Sequence, residues 1–228
     1  MTACWKTPLL LPDMGSAISR LQRALANGET IGIFSDFDAD GITGTALLAD
    51  GLESLGGRVV AYLPHRVTEG HGLSSLAVNA LQQLGVTLIV TVNCGITSPN
   101  EVDEVDEIAS LGMDTIITDH HPPLHRLPAA LAIVNPNLTG SAYPFPSLAG
   151  VELALKLVRG LSEWMGLPWD ERLLQLGAVG TVTDMTPLVG ENLYIVAAGL
   201  RSMAADPKPG LTELLPSWAG WPCPGRKG

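Results

Sequence analysis

A chain of 228 residues with 46% hydrophobic content can bury a substantial core in one domain or two small ones. A formal net charge of −10, with 13 Lys+Arg spread thinly, excludes the basic stripe of a duplex-wrapping protein, so any nucleic-acid contact must be local, metal-assisted or supplied elsewhere. Cys4, Cys94 and Cys223 form neither a disulfide framework nor a zinc pattern; with no signal core and no apolar run near the roughly 20 residues needed to span a bilayer, a reducing, cytoplasmic setting is expected and a membrane is not.

Residues 1–28 read as an N-terminal extension, Pro-rich and irregular to Met14, then a peripheral helix from Ala17 to Ala26 with Ile18, Leu21 and Leu25 on one face. Thr30–Phe34 reads as a strand. It runs into Ser35-Asp36-Phe37-Asp38-Ala39-Asp40-Gly41, ahead of a helix from Ala46 to Leu55 that Gly56-Gly57 terminates. In extended geometry Asp36, Asp38 and Asp40 project the same way, and three carboxylates that close repel unless a cation sits among them. Hard divalent cations take oxygen ligands, which points to Mg²⁺ or Mn²⁺. Gly41 and Gly44 permit a tight turn, and the new helix offers amides to an anion such as phosphate. For an Asp-rich loop taken alone, a solvated turn or helix cap remains an equal alternative. A calcium EF-hand is disfavoured, because its twelfth position is Leu47 rather than Glu and a strand precedes it.

Arg58–Leu63 reads as a second strand, followed by a polar loop with His65, Arg66, Glu69 and His71. Ser74 is placed to cap a helix reaching Leu84. The β-branched run Val86–Val92 marks a strand buried on both faces and ends at Asn93. A helix from Pro99 to Leu111 follows, then the strand Asp114–Thr118, which ends in Asp119-His120-His121, and a last strand at Ala130–Val134. This alternation predicts an α/β fold: a doubly wound, mostly parallel sheet to about residue 137, within a domain of residues 29–205. Ligands bind beyond the carboxyl ends of such strands, where the Asp loop, His65/Arg66, Asn93 and Asp119/His120/His121 all lie. A helical segment covers 147–205, with helices at Leu148–Met165, Trp169–Thr183 and Glu191–Ala205. Asp184 follows the second of these, where a lone carboxylate most often faces solvent. Residues 206–228 read as an irregular tail rich in Pro, Gly and Trp.

Ser35-Asp36-Phe37-Asp38-Ala39-Asp40-Gly41 with Asp119-His120-His121 resembles the DHH phosphoesterase superfamily, most closely its RecJ branch of single-strand-specific 5′→3′ DNA exonucleases. Tyr62-Leu63-Pro64-His65-Arg66, Ile133-Val134-Asn135-Pro136, Leu148-Ala149-Gly150-Val151 and Gly180–Asn192 extend the likeness over about residues 30 to 200 in the family's order. The resemblance implies a hydrolase holding two Mn²⁺ or Mg²⁺ ions that activate water for in-line attack on phosphorus, in DNA repair and recombination. It implies Asp38, Asp40, His120 and Asp184 as metal ligands, Asp36 as a further ligand or close partner, and Asp119 orienting His120. It implies His121 on the scissile phosphate or metal-bound water, and His65 and Arg66 as contacts to substrate phosphate.

Two departures qualify it. Asn93 stands where the family usually has a metal-bridging Asp; as a neutral ligand it weakens the two-ion site. The family also carries a DHH-associated domain and, in the RecJ branch, an OB-type domain for single-strand binding, which this chain as read lacks; a fragment or truncation, and weak DNA binding alone, are expected. Cleavage of short oligonucleotides or small nucleotides is one alternative, though those relatives usually begin the first motif with a His where Phe34 stands. A non-catalytic scaffold is another.

Overall fold

The computed structural model describes residues 5–97 and 99–214. Five strands form one parallel sheet: β1 (Thr30–Ser35), β2 (Arg58–Tyr62), β3 (Val86–Val92), β4 (Asp114–Thr118) and β5 (Ala132–Val134), in the order β2-β1-β3-β4-β5. Helices α1 (Met14–Asn27), α2 (Ala39–Ser54), α3 (Ser75–Gln83) and α4 (Pro99–Ser110) accompany the strands. Four more follow them: α5 (Gly150–Met165), α6 (Leu173–Thr183), α7 (Gly190–Ala205) and α8 (Pro209–Leu214). Among the described residues no helix is long and apolar enough to cross a membrane.

Period-2 alternation decides which residues face which layer. Ile31, Ile33, Leu88, Val90, Val92, Ile116, Ala132 and Val134 point to one face, where α1, α2, α5 and part of α6 and α7 pack. Phe34, Ile89, Ile117 and Ile133 point to the other, under α3 and α4. A doubly wound fold requires this division. The chain moves outward from β1 to β2 through α2, then returns past β1 to β3 through α3, so crossovers of one hand place those helices on opposite faces. The strand order therefore reverses between β1 and β3, and the crevice beyond their carboxyl ends opens there.

The α/β class and the five parallel strands match the sequence reading; several boundaries do not. α2 starts at Ala39 rather than Ala46, because Asp38 caps it, its side chain accepting the Gly41 N–H at 2.7 Å. Asp36, Asp38 and Asp40 thus do not lie along one extended segment: Asp40 sits in a helical first turn. α1 starts at Met14, and α6 starts at Leu173 rather than Trp169. The stretch after Pro207, read as irregular, contains the short α8. Cys4, Cys223 and the remainder of the tail from residue 215 lie outside the described residues.

α6 and α7 meet where Gly199 has no side chain. A Cβ there would collide with the backbone carbonyl of Leu174 and lie 2.5 Å from Ala178 Cβ. A backbone obstacle cannot rotate away, so Gly199→Ala is expected to destabilise the fold by about 1–3 kcal/mol, read as a lower urea midpoint at unchanged slope.

Candidate metal centre

The site assembles at the crevice from five backbone segments. Asp40, only 1% exposed, is held by the start of α5: its Oδ2 accepts the Gly150 N–H at 2.7 Å and its Oδ1 the Val151 N–H at 2.8 Å. The first amides of a helix have no intrahelical partner and favour a negative charge, so α5 serves Asp40 as an anion holder. Residue 150 must be glycine for this approach, since a Cβ would fall 2.7 Å from Asp40 Oδ2 and 2.9 Å from Asn93 Cβ.

His120 enters from the end of β4. Its ring hydrogen-bonds the Leu148 carbonyl, while Nε2 is buried and has no hydrogen-bond partner among the described residues. That nitrogen lies 3.9 Å from Asp40 Oδ2 and 4.0 Å from Asp184 Oδ2. Asp184 is the residue that ends α6. Donor atoms of Asp40, His120 and Asp184 lie within 4.8 Å of one another. Those gaps are too long for hydrogen bonds and suit donors around a common ion.

Asn93 lies at the end of β3 in a left-handed conformation, φ 62°. Its amide nitrogen is 3.3 Å from both Asp38 oxygens, and its buried Oδ1 has no partner among the described residues. The amide thus links Asp38 to the Gly150 corner beside Asp40. Asp36 stands apart from the triad. Its Oδ2 meets His71 Nδ1 at 2.9 Å and its Oδ1 accepts the Phe37 N–H at 2.7 Å. His71 and the Arg66 guanidinium lie against the Phe37 ring, with His71 4.3 Å and Arg66 5.1 Å from its centre. Arg66 therefore reaches the rim of the first motif, whereas His65 is exposed and turned to its own loop, accepting from the Thr68 backbone at 3.3 Å.

Asp119 is fully buried, and its role differs from the expected one. Its Oδ1 is 2.8 Å from His121 Nδ1 and accepts the His121 N–H at 3.0 Å, so it orients His121, while the Leu148 carbonyl orients His120. Asn135 and Asn137 fix the pair from below, donating to the carbonyls of His121 and His120. The Gly150 and Val151 amides and the Leu148 carbonyl are functional groups that residue-type reasoning missed; the quoted segment Leu148–Val151 was the available signal. A cavity of about 410 Å³ lined by Trp5, Arg159, Trp169, Tyr194 and Arg201 lies elsewhere, along α5 and α7, with no such set of donors.

Electrostatics favour a cation. Burial pushes Asp40 up to about 7 and also raises Asp184, each further raised by Asp38. Burial lowers His120, leaving a neutral imidazole suited to ligation, while the hydrogen bond to Asp119 raises His121. One buried and one half-buried carboxylate, Asp40 and Asp184, beside a His120 nitrogen with no hydrogen-bond partner among the described residues fit a hard divalent cation, with the more exposed Asp38 adjacent.

The family profile described as the DHH family, N-terminal domain, matches residues 30–181. The chain belongs to the DHH family. Among DHH relatives it is 40% identical over 208 residues to the single-stranded-DNA-specific exonuclease RecJ of Bacillus subtilis, covering 91% of this chain and 26% of that protein. It superposes on an exonuclease RecJ bound to manganese with TM-score 0.83 at 36% identity, covering 96% of this chain and 54% of that one. Against RecJ from Thermus thermophilus in complex with Mn²⁺ the TM-score is 0.76 at 34% identity, covering 93% and 30%. The Mg²⁺ complex of the Thermus protein gives 0.66 at 31%, covering 93% and 26%. The chain thus spans about a quarter to a half of the length of these relatives.

A proton on Asp40 competes with a metal ion. Mn²⁺ affinity is therefore expected to fall as pH drops through about 7, and to be about tenfold weaker at pH 6 than at pH 8. Stability moves the opposite way. A carboxyl raised on folding stabilises the metal-free chain below its unfolded value near 4, a contribution lost as pH rises through about 7. Calorimetric Mn²⁺ titrations and metal-free melts at pH 5 to 8 read both; an affinity flat across that range removes Asp40 from the ligand set.

Proposed function

We propose that this chain is the catalytic core of a divalent-metal-dependent phosphodiesterase that digests single-stranded DNA from its 5′ end, in repair and recombination. The observation that carries the reading is the convergence of Asp40, His120 and Asp184 around a histidine nitrogen with no hydrogen-bond partner among the described residues. It is supported by the likeness to RecJ exonucleases across nearly the whole chain.

Asp38, Asp40, His120 and Asp184 hold the cation, Mn²⁺ or Mg²⁺. When bound, such an ion lowers the pKa of water and offsets charge that builds on phosphate oxygens. The remaining work belongs to side chains. His121, exposed by 44% and raised by Asp119, presents a proton donor to a phosphate oxygen at the mouth of the site. Arg66, already lying over Phe37, offers its fork to a neighbouring phosphate. With a net charge of −10 the chain holds DNA weakly by itself, so basic surface from further domains, of the DHH-associated and OB type, would supply tight binding.

Single-stranded oligonucleotides labelled at the 5′ end should release mononucleotides when Mn²⁺ is added, duplexes should not, and chelation should stop release. His120→Ala should lower the rate by at least about 100-fold. Activity that survives both chelator and His120→Ala refutes the assignment, and release from dinucleotides in preference to long strands redirects it to small substrates.

Asn93 sets a second test. Replacing its amide with a carboxylate removes the donor to Asp38 and adds a ligand charge, so Asn93→Asp should tighten Mn²⁺ binding at least about tenfold. The same change should lower the melting temperature of the metal-free chain, because two carboxylates then face each other. Unchanged affinity would place residue 93 outside the cation's reach.

A further inference from the structure

Glu152, the third residue of α5, has no exposed surface, and no step proposed above uses it. Its Oε2 accepts the Ala149 N–H at 3.2 Å, next to the two amides that hold Asp40. Its Oε1 lies 2.9 Å from Thr181 Oγ1 in the last turn of α6. Thr181 Oγ1 also lies 2.7 Å from the Gly177 carbonyl. A hydroxyl has one proton to give. The carbonyl one turn back is the usual acceptor for a helical threonine, and here it is the shorter contact. The 2.9 Å contact then needs a second proton, and Glu152 is the group that can hold it.

The charged surroundings agree. Burial, the largest effect, pushes Glu152 up to about 8 and Asp40 of α2 acts in the same direction, against the Thr181 and Ala149 hydrogen bonds and Lys156 of α5, which lower it. Lys156 is itself engaged by Glu191 of α7 at 2.5 Å. Tyr143, in the loop ahead of α5, also faces Glu152 and donates its hydroxyl to Glu191.

We propose that Glu152, as the neutral carboxylic acid, is the positioning residue of the metal centre. It pins the start of α5, which holds Asp40, to the end of α6, which carries Asp184, and so fixes the gap between two carboxylates that repel. A neutral acid makes this bond without adding a further negative charge beside them. The inference rests on the metal-centre reading given above.

The whole chain is titrated calorimetrically with Mn²⁺ at pH 7 as wild type, Glu152→Gln, Glu152→Ala and Thr181→Val, with a thermal melt for each. A glutamine offers an N–H to Thr181 and a carbonyl to the Ala149 amide, so Glu152→Gln should bind within about twofold of wild type. Glu152→Ala and Thr181→Val should bind at least about tenfold more weakly, the range seen when support for a ligand is removed. Above pH 8 the wild type should lose affinity relative to Glu152→Gln, since only the acid can ionise. Equal weakening in Glu152→Gln and Glu152→Ala shows that the charge is what matters and overturns the proposal. Wild-type affinity in a folded Glu152→Ala or Thr181→Val does the same, and Thr181→Val carries the comparison should Glu152→Ala not fold. A wild type that binds no Mn²⁺ ends the metal-centre reading and this inference with it, whereas a wild type that binds while all variants match it ends only the inference.

Discussion

The bond pair from the Gly150 and Val151 amides to Asp40 is the constraint on which the site depends. It joins the first helix after β1 to a helix that begins 110 residues later, and it does so with no side chain on the α5 side. A carboxylate with 1% exposure pays a desolvation penalty that fixed donors, a cation or a proton can offset. Two amides at a helix N-terminus supply the fixed part. They leave the oxygens' remaining lone pairs for an ion.

The sheet order explains why these groups meet. β1, β3 and β4 are consecutive neighbours, so the residues just past their ends, Asp36 to Asp40, Asn93 and His120, share one rim. α2 and α5 pack on the same face of the sheet, which brings the start of α5 under Asp40, and α6 delivers Asp184 from the same layer. Side chains far apart in the chain therefore converge through sheet topology, with short loops making only the last adjustment.

Much of this was legible in the residues. The run Val86–Val92 announced a strand covered on both faces, and the four polar clusters at strand ends announced the crevice. The start of α2 was not legible, because Gly41 and Gly44 have poor helix propensity and mask a helix that packing secures: a Cβ at residue 44 would lie 2.5 Å from Val92 Cγ1. Side-chain ligands could be named by type, but backbone donors have no such signature, so the amides of α5 stayed invisible. The assignment of Asp119 to His120 failed for a related reason. Adjacent histidines at one strand end both lie near a buried carboxylate, and only the backbone conformation decides which ring turns toward it.

Two buried acids in the helical layer show why the Asp40 corner reads as a binding site and not as a structural ion pair. Glu191 is 1% exposed, and its charge is met inside the protein by the Lys156 ammonium at 2.5 Å and the Tyr143 hydroxyl at 2.6 Å. Asp40 is as deeply buried, yet among the described residues no lysine or arginine forms an ion pair with Asp38, Asp40 or Asp184. The chain can build a buried ion pair, as Lys156 demonstrates on the very helix that holds Asp40, and it does not build one there. Apart from His121, raised by Asp119 and lying against His120, the groups around the corner are neutral: the amides of α5, the Asn93 amide and the His120 imidazole. Such a shell holds carboxylates in place without cancelling their charge. A cation with two or more charges and a preference for oxygen, arriving from solvent, would meet the remaining need with one particle.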